Sequence, residues 1–321
     1  MRRTLGALAL AAATAFGTIA ATVAPASAAP TYDVKPGALP RGADVRIPHL
    51  EGKTIVDGST RITVHAANAQ LLGKAPGGYV VGTHDADYES PRIWLYPTDG
   101  ARRLLVSGFH DYAAQLSDEG TRLAVVRSAE VSRVVLIATK NGARLGARDF
   151  KGYATALDVA GDRVMVSAWS RGTRIWNAST QATRLISKRA GYAADLSHGL
   201  FASYTKDPYD GGCSVLAPVG SPDDRIWTGC NQRIVAFNPD ATRVATIDIL
   251  SDGLGPREAQ VHRTTGRRLA SYTIDGWFGA IEFESGSDLL LGASGQVWTA
   301  TVRCNLAGCV RASDVTRTVQ P

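Results

Sequence analysis

The sequence predicts an all-β protein that is built from a repeated unit of four short strands. Within residues 112–145, four short apolar runs are separated by Gly, Asp, Ser and Asn, which are the usual residues of turns. Runs this short that are rich in Val, Ile and Leu favour strands over helices. The same pattern recurs along the chain with a period of about 40 to 45 residues.

Each strand of the unit has its own marker. The first strands end at Leu72, Leu116, Leu157, Leu196, Phe237 and Phe283. In five of these six copies, an apolar or aromatic residue opens the second strand seven positions later. The third strands are marked by Ile62, Ile93, Val134, Ile175, Val215, Glu258 and Val297. The fourth strands begin with an arginine and an aliphatic residue, at Arg103, Arg144, Arg184, Arg225 and Arg268.

A four-stranded unit of this period is typical of a β-propeller blade, which buries both faces only by stacking on its neighbours in a ring. The third-strand markers predict seven four-stranded blades. Six blades are the alternative if residues 44–69 only add strands to the last blade, and a β-sandwich with accidental periodicity is a further alternative. Because the first copy has no obvious fourth strand, we expect the C-terminal run from Val310 to complete it.

Composition divides the chain into four segments. Residues 1–29 have a basic start, an apolar stretch and an Ala-x-Ala site at Ala28, so we expect a signal peptide that is cleaved there and a secreted protein. Residues 30–43 form an extended lead-in, residues 44–313 the propeller, and residues 314–321 a tail. No later run approaches the ~20 apolar residues of a membrane span.

The charge is modest and spread along the chain. The 321 residues carry a formal charge of +6, and removal of the two arginines in the targeting segment leaves +4. The basic residues recur once per copy at strand starts, which argues against a nucleic-acid surface. We expect a monomer without a cofactor.

The four cysteines form two local pairs in the sequence. Cys213 and Cys230 flank one hairpin of third and fourth strands, and Cys304 and Cys309 flank another. Four cysteines allow three pairings, and the local pairing is favoured because each pair would lie on adjacent antiparallel strands. Neither pair has metal-site spacing.

Two turns carry a resemblance to a known family. Residues 116–123 (LSDEGTRL) and 237–244 (FNPDATRV) are similar to a Ser-Pro-Asp-Gly turn that is followed by a basic residue and an aliphatic strand. Arg-Ile-Trp at 92–94 and 174–176 resembles the third strand of the same family. Residues 45–311 therefore resemble secreted actinobacterial TolB-like and WD-repeat-like β-propellers. This resemblance implies a fold but no activity, and the Gly-His and Trp-Asp dipeptides of WD repeats are missing here.

The long, varied loops fall on one face of the predicted ring. They join second to third strands, or one blade to the next, and comprise residues 84–91, 108–112, 206–212 and 251–256. Variable loops on a rigid scaffold are where function usually lies. His84, Asp85 and Asp87 share this face with His110 and Asp111, and such a set has the chemistry for metal binding or acid-base catalysis. Solvated polar loops are the simpler interpretation. His198 and His262 belong to the opposite face.

Three successive copies carry Tyr where the chain enters its first strand, at Tyr112, Tyr153 and Tyr192. We expect these rings to line one side of the central mouth, where an apolar ring with a polar tip suits a sugar or an aromatic ligand. Packing between blades is the alternative role. The predicted ligand site therefore comprises Tyr112, Tyr153, Tyr192, His84, Asp85, Asp87 and His110.

No phosphate loop, zinc-protease motif, serine-hydrolase elbow or calcium loop occurs in the sequence. The pattern favours a non-catalytic extracellular propeller that binds a protein, peptide or carbohydrate. The alternative is a lyase or hydrolase of the propeller type that uses His84, His110 and nearby carboxylates.

Overall fold

A computed structural model describes residues 28–319, and it shows seven small antiparallel sheets in a ring. The prediction of a seven-bladed propeller is confirmed. The signal peptide expected at residues 1–29 lies almost entirely outside the described residues. Each sequence marker falls in or beside the strand it predicted, as Ile93 and Glu258 do in the third strands of their blades.

The first four blades contain strands β2 to β16. Blade one has β2 (His49–Glu51), β3 (Thr54–Asp57) and β4 (Thr60–Thr63). Blade two has β5 (Asn68–Ala75), β6 (Gly78–His84), β7 (Arg92–Pro97) and β8 (Arg103–Ser107). Blade three has β9 (Ala114–Leu116), β10 (Arg122–Arg127), β11 (Val131–Ala138) and β12 (Arg144–Lys151). Blade four has β13 (Ala154–Ala160), β14 (Arg163–Ala168), β15 (Gly172–Asn177) and β16 (Thr183–Ser187).

The last three blades contain β17 to β28, and one further strand is added at each chain end. Blade five has β17 (Gly191–Asp195), β18 (Leu200–Tyr204), β19 (Ser214–Pro218) and β20 (Trp227–Gly229). Blade six has β21 (Gln232–Phe237), β22 (Arg243–Asp248), β23 (Glu258–Arg263) and β24 (Arg268–Thr273), with β1 (Thr31–Asp33) parallel to β24. Blade seven has β25 (Gly276–Phe283), β26 (Leu289–Gly295), β27 (Trp298–Asn305) and β28 (Gly308–Arg311), with β29 (Thr316–Arg317) beside β27. Short 3-10 helices span Asp111–Ala113 and Pro208–Asp210.

The first strand of each blade is the innermost, because β2, β5, β9, β13, β17, β21 and β25 contact one another in succession. The loops between second and third strands and between blades therefore share one face of the ring. We call it the loop-rich face. The hairpins between first and second strands lie around the opposite mouth of the central channel.

Several innermost strands contain a β-bulge. The pairing of the first and second strands shifts by an extra residue at Leu72, Leu157, Tyr192 and Val235. A bulge bends its strand and turns one side chain in a new direction. These bulges allow strands that crowd around the channel to present side chains to it.

The core lies between blades. Six of the contacts between adjacent blades each have a cluster of buried apolar side chains, as expected for sheets stacked face to face. The cluster between blades three and four, for example, contains Val134, Phe150 and Trp176. A seventh cluster, the smallest, joins blade seven to the segment just before β2, with Val45, Leu290 and Ala312 buried. The segment that closes the ring therefore has the smallest apolar cluster.

The expectation that the C-terminal run from Val310 completes blade one is wrong. Val310 lies in β28 and pairs with Arg303, which makes it part of the outer strand of blade seven. The short hairpin after β27 returns the chain at once along its own blade, so no strand remains for blade one. Blade one keeps three strands, blades two to five have four, and blades six and seven have five when β1 and β29 are included.

The N-terminal lead-in takes over the closing role. It runs across the outer edges of blades six and seven, with β1 paired to β24 and the Tyr32 ring stacked on Tyr272 at 5.7 Å. Gly42 N then donates to the carbonyl of Arg311 at 2.8 Å. The chain thus bridges blades six and seven before it enters blade one.

A buried ionic network fixes the end of this lead-in. The Glu284 carboxylate accepts hydrogen bonds from Arg303 Nε at 2.5 Å and from Arg46 Nη2 at 2.6 Å, and its side chain is fully buried. Arg303 also donates to the carbonyl of Asp44 at 2.8 Å. Burial would raise the pKa of Glu284, but the hydrogen bonds from Arg303 and Arg46 outweigh it and lower the pKa to about 2. Blade seven and the start of blade one are joined through this carboxylate.

Both predicted disulfides are confirmed. Cys213 is bonded to Cys230 and Cys304 to Cys309, each across a hairpin of third and fourth strands. The four cysteines leave no free thiol among residues 28–319. Two disulfides indicate folding in an oxidising environment.

We expect Glu284→Gln to lower the free energy of unfolding by about 3 to 5 kcal/mol, because it leaves the buried guanidinium group of Arg303 without its carboxylate. The lowered pKa of Glu284 also makes the free energy of unfolding depend on pH. The ionised carboxylate stabilises the native state above about pH 4.5, and this stabilisation is lost as the pH falls from about 4.5 towards about 2. Urea unfolding at pH 7 and pH 3 measures both effects.

The matched control is Asp314→Asn. Asp314 pairs with Arg41 at 3.2 Å on the surface, with a side chain that is 94% exposed. An exposed pair contributes at most about 1 kcal/mol. Equal losses for the two variants would show that the buried network does not close the ring.

Candidate functional site

The loop-rich face has a cavity between blades two and three. It has a volume of about 530 Å³ and is lined by Asn68, Ala69, Gln70, His84, Tyr88, His110, Asp111 and Tyr112. His84 ends β6, whereas His110, Asp111 and Tyr112 lie in and beside the 3-10 helix that leads into blade three. The fold thus brings together four residues that the sequence assigned to one face.

His84 and Asp111 form a buried pair on the wall of this cavity. His84 Nε2 lies 2.9 Å from Asp111 Oδ1, and both side chains are more than nine-tenths buried. Gly82 makes room for the pair, because a Cβ at this position would lie 2.3 Å from the Cβ of Asp111. His84 Nδ1 is also buried, and it has no hydrogen-bond partner among the described residues. The imidazole is therefore held at one nitrogen and unsatisfied at the other.

Aromatic rings continue outward from this pair. The His110 ring stacks on His84 with centroids 5.4 Å apart, and Tyr112 stacks on His110 at 4.8 Å. Tyr112 is the outermost ring and is 76% exposed. We call Asp111, His84, His110 and Tyr112 the first ring stack. It connects a buried carboxylate to an exposed phenol.

The two remaining carboxylates of the predicted site, Asp85 and Asp87, lie in the loop that follows β6. Asp85 accepts a hydrogen bond from the backbone nitrogen of Glu89 at 2.6 Å and so shapes its own loop. Asp87 is exposed in the same loop. This loop also holds Tyr88 and Ser90 at φ 59° and 51°, values that are uncommon for residues other than glycine and asparagine. Such backbone strain occurs most often at binding and active sites.

The three tyrosines predicted to act together occupy two kinds of position. Tyr153 resembles Tyr112, because it precedes its first strand and is 67% exposed. Tyr192 lies inside β17 at the β-bulge, which turns its ring towards blade six. Its hydroxyl contacts Ser214 and accepts a hydrogen bond from the backbone nitrogen of Ile234 at 3.1 Å. Burial raises the pKa of Tyr192, as expected for a phenol packed between blades.

Tyr192 nevertheless supports an exposed ring. Tyr204 stacks on it at 4.2 Å, and Trp169 packs against Tyr204 at 6.1 Å. Trp169 is 54% exposed in the loop between β14 and β15. We call Tyr192, Tyr204 and Trp169 the second ring stack. Sequence analysis missed Tyr204 and Trp169, because neither recurs from copy to copy, although Trp169 lies in a loop between second and third strands.

Among the described residues, exposed tyrosines and tryptophans are confined to this face. Among residues 28–319 the exposed tyrosines and tryptophan are Tyr88, Tyr112, Tyr153, Trp169 and Tyr209. All five lie in loops of the loop-rich face, in blades two to five or at their entries. Exposed aromatic residues are typical of binding surfaces.

The opposite mouth of the channel has a different chemistry. A cavity of about 650 Å³ there includes Asp118, Asp158, Asp195, His198 and Glu282 in its lining. His198 Nδ1 lies 2.9 Å from Asp195 Oδ2. Burial raises the pKa of Asp158 to about 7, against two backbone hydrogen bonds from Leu196 and Val159 that lower it. His262 lies elsewhere, between Gln260 Oε1 and the carbonyl of Gly266, each at 3.0 Å.

Among residues 28–319, no group of three or more His, Cys, Asp or Glu side chains has the arrangement of a metal site. In the same range, no helix has the length and apolar character needed to cross a membrane.

Solved structures show similarity to this chain at the level of the fold. A chain of the mitotic checkpoint complex is 12% identical, with a TM-score of 0.53 over 74% of this chain and 77% of that chain. The β-propeller domain of Cps50 (Swd1) from Myceliophteria thermophila is 11% identical, with a TM-score of 0.53 over 84% of this chain and 90% of that chain. TolB from Acinetobacter baumannii is more distant, at 12% identity and a TM-score of 0.45 over 68% of this chain and 60% of that chain.

No protein-family model and no curated protein sequence matches the chain. The structural similarity therefore supports the propeller fold and leaves the activity open. Function has to be argued from the site itself.

We expect Tyr192→Phe to lower the free energy of unfolding by about 1 to 3 kcal/mol, because it leaves the buried backbone nitrogen of Ile234 without its acceptor. Tyr112→Phe and Tyr153→Phe are the matched controls, since both hydroxyls are exposed. Each control should change stability by less than about 0.5 kcal/mol. Chemical denaturation of the three variants measures the difference, and three equal values would contradict the distinction between these tyrosines.

The raised pKa of Asp158 predicts that stability falls as the pH rises. The folded state holds this proton more tightly than the unfolded chain, so the stabilisation is full below about pH 4 and is lost as the pH rises through about 7. The slope should be at most about 1.4 kcal/mol per pH unit, and Asp158→Asn should remove it. Thermal unfolding between pH 4 and pH 8 measures the slope. Asp99→Asn, on an exposed hairpin, should leave it unchanged, and an unchanged slope in Asp158→Asn would contradict the assignment.

Proposed function

We propose that this protein is a non-catalytic extracellular propeller that binds a ligand or partner on its loop-rich face. The observation that carries this proposal is the pair of ring stacks. Each stack begins at a buried polar contact and ends in a single exposed ring, Tyr112 in the first and Trp169 in the second. These exposed rings are therefore supported from below and do not move freely on loops.

Support of this kind is what a binding surface needs. A ring that is already held in place loses little conformational entropy when a ligand packs on it, so more of the contact energy appears as affinity. Tyrosine and tryptophan also combine a large apolar surface with a hydrogen-bonding edge. The residues that dominate binding energies at protein interfaces are enriched in the same two types.

The chemistry of the rings limits the partner to a class. A carbohydrate stacks its apolar face on such rings, and a peptide or protein loop packs its side chains between them. The two disulfides agree with an oxidising compartment and so with export. We therefore propose an extracellular carbohydrate, peptide or protein as the partner.

A specific observation favours a second candidate, a hydrolase or lyase. Asp111 holds His84 through Nε2, and Nδ1 has no hydrogen-bond partner among the described residues. A carboxylate that orients one nitrogen of an imidazole, while the other nitrogen is free to accept a proton, is the arrangement of a general base. His84 lines the cavity of about 530 Å³, and its Nδ1 is buried in the wall of that cavity.

A ligand screen tests the proposal. Residues 29–321 are screened by thermal shift against neutral and acidic oligosaccharides and peptides, and each stabilising compound is then titrated by calorimetry. We expect the double variant Tyr112→Ala/Trp169→Ala to weaken binding of a true ligand by about tenfold or more, because each ring supplies part of the contact. The matched control is Leu104→Ala/Leu185→Ala, which removes two exposed side chains from outer strands.

The proposal is wrong if the ring variant binds every stabilising ligand as the native protein does. Equal losses in the ring and control variants would also contradict it, since they would indicate a general effect on folding. If a stabilising compound is instead consumed, and His84→Gln abolishes turnover while leaving binding intact, the second candidate replaces the first.

A further inference from the structure

A basic groove lies at the outer rim between blades three and four, away from the cavity at His84. It has a volume of about 290 Å³, and its walls come from β12 on one side and from β14, β15 and β16 on the other. Four cationic residues line it: Arg148, Lys151, Arg171 and Arg174. This is a concentration of positive charge that the spread of basic residues along the sequence did not indicate.

The positive charge in the groove is not neutralised within the protein. None of the four cations has a carboxylate oxygen within 4 Å among residues 28–319. The one acid in the lining, Asp149, is already paired with Arg133 at 2.9 Å. Four like charges in one groove repel one another, so an anion bound there would relieve the repulsion.

Two of the guanidinium groups are held in position. Arg148 Nη1 donates to the carbonyl of Gln181 at 2.6 Å, and Arg174 Nη1 donates to the carbonyl of Arg171. Each guanidinium has five N–H donors, so further donors stay available after one bond to a carbonyl. The planar group matches the oxygens of a carboxylate, sulfate or phosphate. Thr183 also lines the groove, and its hydroxyl is buried without a hydrogen-bond partner among the described residues.

The groove opens beside two exposed rings of the loop-rich face. Ala154, the first residue of β13, pairs with Ala168, the last residue of β14. Tyr153 and Trp169 are therefore the residues just beyond this pair. Gly152 packs against the same turn, because a Cβ there would meet Arg171 Cγ at 3.5 Å. The rings and the cations therefore belong to one continuous surface.

We propose that this groove binds the oxyanion, a carboxylate, sulfate or phosphate, of a ligand whose remaining part lies against Tyr153 and Trp169. The contact with Tyr153 and Trp169 rests on the proposed function, whereas the anion site in the groove does not. The inference narrows the ligand from any carbohydrate or peptide to one that carries an acidic group. A sugar acid is the smallest probe with both parts.

The test titrates residues 29–321 with sodium sulfate, sodium phosphate, sodium glucuronate and glucose at constant ionic strength, set with sodium chloride. Constant ionic strength separates binding from screening. We expect saturable chemical-shift changes with the anions and none with glucose. The double variant Arg148→Gln/Arg174→Gln should weaken binding of the anions by about tenfold or more. The control Arg103→Gln/Arg144→Gln removes the same charge from outer strands outside the groove and should bind as the native protein does.

Each outcome decides one part of the inference. No saturable change with any anion, or equal weakening in the groove and control variants, overturns the anion site. Tyr153→Ala/Trp169→Ala should weaken glucuronate but not sulfate. If it weakens neither while the groove variant weakens both, the anion site stands and the ring contact of the proposed function fails. If it weakens glucuronate while the groove variant does not, the proposed function stands and the anion site fails. Unchanged melting temperatures confirm that the variants fold.

Discussion

The ring depends on the buried carboxylate of Glu284. A propeller must join its last blade to its first, and here the cluster between blade seven and the segment that enters blade one is the smallest of the seven apolar clusters. Arg303 and Arg46 both donate to Glu284, one from blade seven and the other from the segment that enters blade one. This buried anion tolerates little displacement, because the buried Arg303 guanidinium would otherwise lose its carboxylate. The ionic network thus supplies a geometric constraint where apolar packing is weak.

The C-terminal run adds no strand to blade one, so ring closure depends on the N-terminal lead-in. The lead-in is tied to β24 and to Arg311 on the outer rim, so the N-terminal segment spans blades six and seven before its first propeller strand. Opening the ring would break these edge contacts and the contact between blades seven and one together. The loops that carry the exposed rings belong to blades two to five, and not to the two blades at this joint.

The sequence predicted the parts of the fold that depend on local repetition. The apolar markers and the basic starts of fourth strands located the blades, because the same packing problem recurs in every blade and selects the same residue types. Closure was not predictable in this way, since Glu284, Arg46 and Arg303 are brought together only by the ring and have no counterpart in other copies. The sequence predicts the C-terminal run to complete blade one, but a short hairpin at Cys304 and Cys309 returns it to blade seven.

The candidate site, like the fold, was predictable only in part from the sequence. His84, His110 and Asp111 were predicted to share a face because strand order alone decides which loops meet. That His84 is held at Nε2 and left free at Nδ1 depends on side-chain orientation, which no sequence pattern encodes. Tyr192 shows how a single local feature changes a role. Its sequence position matches Tyr112 and Tyr153, but the extra residue of the β-bulge turns it between blades five and six, where it supports Tyr204 and Trp169.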